Sequence, residues 1–211
     1  DGLHQSYHSD GQLSSSGNYK DGNPEGLHQI YHTNGQLKTK ENYKDGKIVD
    51  GLHETFHSNG QLKTKENYKN GKKEGVLEVY ESDGTIESRE HYKDGLLDGL
   101  KEMYSYGKLD ERTNYKNGKK HGLHEDFISG CISQRDTYEN GERTLGENFR
   151  SKNCSSDVSN LTSKIRYKNS EYHGVYILFS SSGEISSVYC YFYGKWSDSD
   201  WDDDKKSPLV D

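Results

Sequence analysis

The chain has 211 residues, a formal net charge of −7 and no alanine at all. Its 28 Lys and Arg are outnumbered by 35 Asp and Glu, so it has no basic excess to drive counterion release from nucleic acid. Leu, Ile, Val and Phe make only 36 residues, too few for an ordinary core, while 17 Tyr and 23 Gly favour strands and tight turns over helices.

Taken in order, the chain writes one unit about eight times. The second unit, "GLHQIYHTNGQLKTKENYKDG" at 26–46, nearly recurs at 51–71 as "GLHETFHSNGQLKTKENYKNG". Unit-opening glycines fall at Gly2, Gly26, Gly51, Gly75, Gly99, Gly122, Gly146 and Gly174. Others fall in mid-unit, as Gly35 does, or close the unit, as Gly46 does, mostly after Asn or Asp. Asn-Gly and Asp-Gly are strong hairpin signals because both residues tolerate positive φ. A branched apolar residue sits six positions before a Tyr in every unit, as Leu37 does before Tyr43. That even offset predicts one shared sheet face, with Leu27, Tyr31, Leu37 and Tyr43 making it apolar. The opposite, wet face would then carry His28, His32, Lys38, Lys40 and Asn42.

Turn lengths follow from the cross-strand pairs. Tyr31 and Leu37 can face each other across a three-residue loop, Thr33-Asn34-Gly35. Tyr104 and Leu109, and Phe127 and Ile132, are each one residue closer, so two-residue loops (Tyr106-Gly107 and Ser129-Gly130) keep the same pairing. The seventh unit carries extra residues, and its first strand shows no matching aromatic; this predicts an irregular loop over 146–160. The array is expected over 1–194, followed by an acidic tail, 195–211, holding Trp196 and Trp201.

The aligned signature, G-L-H-x-x-Tyr/Phe-x-x-Asn/Asp-G-Q-L followed by N-Tyr-K-Asn/Asp-G-K, resembles MORN-type repeats, in the bacterial variant of the YwqK-type antitoxin family. The resemblance covers 1–194 and is strongest in 1–141. It implies an all-β fold: an elongated, single-layer, twisted antiparallel sheet of about eight consecutive hairpins. It also implies binding of a cognate toxin or effector, or tethering of proteins or membranes.

Chemistry is not expected. Equivalent residues in successive hairpins stand roughly 9–10 Å apart, and residues four apart on a strand roughly 13 Å. The two histidine series (His4, His28, His53 and His124; His8, His32 and His57) therefore cannot share a metal ion and read as a solvated ladder. The acidic series Glu54, Glu78, Glu102 and Glu125 recurs as scaffold would. No phosphate loop or nucleophile elbow is present, so neither an enzyme nor a cofactor is predicted. The cysteines Cys131, Cys154 and Cys190 have no metal-ligand spacing and read as free thiols ahead of a Cys131–Cys154 bridge.

Binding is the remaining role. Ile30, Val79, Met103 and Leu178, with Thr55 among them, place apolar residues at one position of the wet face. They fit either a partner site or scattered strand formers. Tyr80, Tyr104, Trp196 and Trp201 complete the candidate set. The partner implied is a protein, with no nucleic acid and no membrane contact except through an anchor removed from the N-terminus; an array of the cell envelope that binds proteins, glycans or lipids is the alternative. The absence of an initiating Met and the presence of cysteines point to the bacterial envelope ahead of the cytoplasm.

Overall fold

The computed structural model describes residues 1–149, 161–169, 171–192 and 195–196. It is a single open antiparallel sheet of 19 strands, each hydrogen-bonded to its neighbours in the chain. Two short pieces, Lys47–Ile48 and Lys72–Lys73, pair with the strand before them, which also pairs with the longer strand that follows. They are interrupted strands of the same hairpin meander. No helix occurs among the described residues.

The turns are those the Asn-Gly and Asp-Gly pairs specify. At Asp45-Gly46 both residues have positive φ (49° and 74°), the signature of a type I′ turn. In the three-residue loop, the His32 N–H donates to the Gln36 carbonyl at 2.8 Å and the Gly35 N–H to the His32 carbonyl at 2.9 Å. The two-residue loops also form, with Ser105 pairing with Lys108 and Ile128 with Cys131.

All eight hairpins pair an aromatic with an aliphatic residue near the loop: Tyr7–Leu13, Tyr31–Leu37, Phe56–Leu62, Tyr80–Ile86, Tyr104–Leu109, Phe127–Ile132, Phe149–Leu161 and Phe179–Ile185. The seventh hairpin therefore has its first-strand aromatic, Phe149. Residues 146–149 are not a loop but the end of the strand Glu142–Phe149; the rest of the expected loop, 150–160, lies outside the described residues. Gly146 does not open that unit either. It pairs with Ile165, where His28 of the second unit pairs with Glu41.

One device recurs in every hairpin and changes the sheet's faces. Ile30 pairs with Thr39 and Tyr31 with Leu37, so Lys38 is an extra residue, and the same shift appears in each of the eight hairpins. Such a bulge puts two residues of one strand opposite one of its partner. Leu27, Gln29 and Tyr31 thus share one face, whereas Tyr43 joins Glu41, His28 and Ile30 on the other. The single apolar face predicted from the even offset does not exist. Leu27 is in fact exposed, like Leu3, Leu52 and Leu123.

At the far end of every hairpin except the seventh a glycine stands opposite a tyrosine, as Gly26 does Tyr43 and Gly75 does Tyr92. Both glycines have positive φ (74° and 84°), a backbone region that residues with a Cβ rarely adopt. The fully buried residues are few and mostly polar, among them Thr113 at 0% and Glu125 at 2% exposure. Cys131 is buried and disulfide-bonded, which overturns its reading as a free thiol. Lys195–Trp196 pairs with Tyr191 and Phe192, so these two residues extend the sheet instead of beginning a tail. The remainder of that segment, with Trp201, lies outside the described residues.

Candidate binding faces

The histidines hold the repeats together. On the Tyr43 face, rings meet edge to face from unit to unit: His4–Tyr19 at 5.0 Å, Tyr19–His28 at 5.1 Å and His28–Tyr43 at 5.0 Å. His53 and His124 continue the series and are only 5% and 8% exposed. The second series works at the loop edge. His8, His32 and His57 donate through Nε2 to the carbonyls of Tyr31, Phe56 and Tyr80 in the next repeat, at 3.2, 3.0 and 2.8 Å. The solvated-ladder reading is therefore wrong for both series. Among the described residues, no group of His, Cys, Asp and Glu could hold a metal ion. Replacing His57 with Leu is expected to cost about 1 kcal/mol and to speed hydrogen exchange at the boundary with the next unit. Unchanged exchange there would show that the bond holds nothing.

Carboxylates on the Tyr43 face have assigned tasks. Glu66 pairs with Lys73 at 2.7 Å, Glu90 with Lys101 at 2.8 Å, and Asp136 with Arg143 at 2.5 Å. Arg143 also lies over the Tyr167 ring, 4.3 Å from its centroid. A Cβ on Gly146 would stand 2.6 Å from that guanidinium, so this glycine makes space rather than a turn. Burial, helped by its hydrogen bond to Glu41, pushes the Tyr43 phenol up to about 12, so it remains a neutral donor.

On the opposite, Tyr31 face, a second ladder crosses the sheet. Cross-strand register runs through Lys40, Glu54, Lys65, Glu78, Arg89, Glu102, Arg112, Glu125, Arg135, Glu147 and Lys164, alternating in sign at every step. Opposite charges directly across strands are mutually stabilising. Glu125 sits between Arg112 and Arg135, with the latter at 2.8 Å. Those guanidiniums also lie over the Phe127 and Phe149 rings. The acidic series read as scaffold is thus one half of an alternating charge ladder, closed into ion pairs at Glu78 and Glu125.

The unit edges carry a role invisible in the sequence. The residue before an opening glycine caps the turn of the following hairpin. Asp1, Glu25, Glu74 and Asp98 accept from the backbone N–H of Asp21, Asp45, Asp94 and Asn117 at 2.6 to 3.0 Å. Only the recurrent Asp/Glu-Gly dipeptide hints at it.

The sequence-predicted binding residues do not form one patch. Ile30, Val79 and Met103 lie on the Tyr43 face, with Ile30 exposed and the other two half-buried. Tyr80 and Tyr104 point to the Tyr31 face, where the Tyr104 hydroxyl donates to Glu102 at 3.0 Å. Trp196 is placed by its backbone pairing with Tyr191 alone.

The fold and its faces define a class: a single-layer array of β-hairpin repeats whose polar residues are consumed by cross-strand and inter-repeat contacts. Residues 1–21, 24–45, 49–70 and 73–94 match the family model described as MORN repeat variant, so these four stretches are MORN-type repeats. The later hairpins keep the same pairing outside that match. No curated protein matches the chain. It is similar to a crystal structure of TcdB2-TccC3, at 11% identity and a TM-score of 0.19 over 89% of this chain and 14% of that one. A TcdB2-TccC3-Cdc42 structure gives 12% identity, a TM-score of 0.20 and the same coverage. The chain thus spans about a seventh of those chains, and likeness at this level carries no functional argument.

Proposed function

We propose that this is a non-catalytic protein-binding repeat protein, and within that class an antitoxin or immunity protein that holds a cognate toxin or effector against its Tyr31 face. The supporting observation is the row of apolar side chains recurring once per unit on that face. Leu3, Leu27, Leu52 and Leu123 are 62%, 39%, 47% and 43% exposed. Aligned exposed apolar residues mark partner surfaces. The charge ladder separates them from the aromatic row containing Tyr80 and Tyr104, which offers rigid area with polar tips. The test is binding of the purified product of the adjacent reading frame, followed by co-expression. The expected result is micromolar or tighter association and rescue from toxicity, weakened by serine at Leu27 and Leu52. A neighbour that neither binds nor is neutralised sinks the toxin reading.

The disulfide at Cys131 favours a second reading, an adhesive or structural array of the cell envelope, because disulfides persist in oxidising compartments. Ile30, Val79 and Met103 on the Tyr43 face would then serve a different ligand. Binding to envelope fractions with no response to the neighbouring product would select it.

A further inference from the structure

Nine described non-glycine residues have positive φ. Seven are Asp or Asn, one is Ser129, and one is Tyr106, at 50°. Asp and Asn tolerate the left-handed region through their short polar side chains, whereas a bulky residue there is strained. Strain of this kind is normally offset by packing, yet Tyr106 is 102% exposed, so its ring contributes none to the hairpin. Across the turn the Ser105 hydroxyl donates to Asp110.

Beside the ring opens a groove of about 470 Å³, lined by Glu81, Asp83, Ile86 and Tyr104 as well as Tyr106. Its charges are all negative. Hydrogen bonds from the Thr85 hydroxyl and N–H hold the Asp83 carboxyl below the usual carboxylate range. At the next hairpin tip Ile128 is 57% exposed.

We propose that this loop edge is the anchor point for the protein partner. Tyr106 inserts into a cleft of that partner, Ile128 packs beside it, and Glu81 and Asp83 receive Lys or Arg from the rim. The occupant is therefore a protein with a basic-rimmed apolar cleft. A single exposed aromatic presented by a two-residue turn has the character of a binding hot spot. The proposal rests on the protein-binding reading and adds to the Tyr31 face an anchor at the loop edge.

The test uses the full chain and the purified neighbouring gene product. Tyr106→Asn supplies a residue suited to the turn, so its melting temperature is expected to rise by about 2–4 °C. Its binding is expected to be about 30-fold weaker. Glu81→Lys is expected to slow association most at low salt. If wild type binds and Tyr106→Asn binds equally well, this anchor is overturned while the protein-binding reading stands. If wild type does not bind, the toxin reading and the anchor fall together. A lowered melting temperature in Tyr106→Asn would give the ring a structural role and overturn the proposal independently.

Discussion

Glu125→Ala is expected to lower stability by about 2–3 kcal/mol, toward the lower end of what breaking a buried ion pair costs. Its side chain is 2% exposed and holds two guanidiniums, those of Arg112 and Arg135, whose own side chains are 44% and 25% exposed. Removing the carboxylate leaves two positive charges facing each other across one strand. Their partial hydration softens the penalty. In a chain of this size the change corresponds to roughly 5–10 °C in melting temperature. A shift under about 2 °C would mean that the ladder is ornamental, since only about half a kilocalorie would then be at stake.

The same residue gives the array a pH dependence. Burial by itself would raise the Glu125 carboxyl, but hydrogen bonds and charge from Arg112 and Arg135 outweigh it and leave the group below its ordinary value of 4.5. A carboxyl depressed by folding contributes stability above its unfolded value, and this is lost as pH falls through the folded one. Wild type is therefore expected to lose stability below about pH 4.5 more steeply than Glu125→Gln, as read by denaturant titration at a series of pH values.

Tyr92→Ala is the second large effect, expected at about 2–3 kcal/mol for a half-buried aromatic. Tyr92 stands opposite Gly75 in its own hairpin and Leu97 in the next. Its hydroxyl donates to Glu90 at 2.6 Å, and Lys73 Nζ lies 5.3 Å from its ring centroid. The side chain thus touches residues of two hairpin boundaries. Because each repeat is stabilised chiefly by its neighbours, loosening should spread beyond the strand Ile86–Lys93 to Gly75–Tyr80 and Leu96–Ser105. Tyr92→Phe keeps the ring and should cost only about 1 kcal/mol for the lost hydrogen bond. Faster hydrogen exchange confined to the mutated strand would contradict nearest-neighbour stabilisation.

Several candidate residues changed meaning on folding. His28 and His53 looked interchangeable with His32 and His57 because all are polar letters in an exposed-looking pattern. One series packs in ring contacts, buried at His53 and His124, and the other reaches a carbonyl more than 20 residues away. Gly146 continued the glycine spacing, yet it serves the Arg143 guanidinium. Phe149 was missed because its distance from Gly146 does not match that of Tyr31 from Gly26; the true register places Leu145 opposite Arg166, where Leu27 of the second unit faces Asn42. The charge ladder was half legible. The acids recur within the units, but the bulge near each loop shifts which residue of the next strand faces each of them.

By itself the sequence determined the hairpins. Asn-Gly and Asp-Gly fix turns locally, and an aromatic five or six residues from an aliphatic selects its partner across a loop too short to allow another register. Only the tertiary structure decided which way the side chains face. One bulged residue per hairpin, Lys38 and its counterparts, ends the strict alternation on which a period-two reading depends. A bulge leaves no mark in hydrophobic periodicity, so the faces, the buried histidines and the exposed leucines become visible only once the strands are paired.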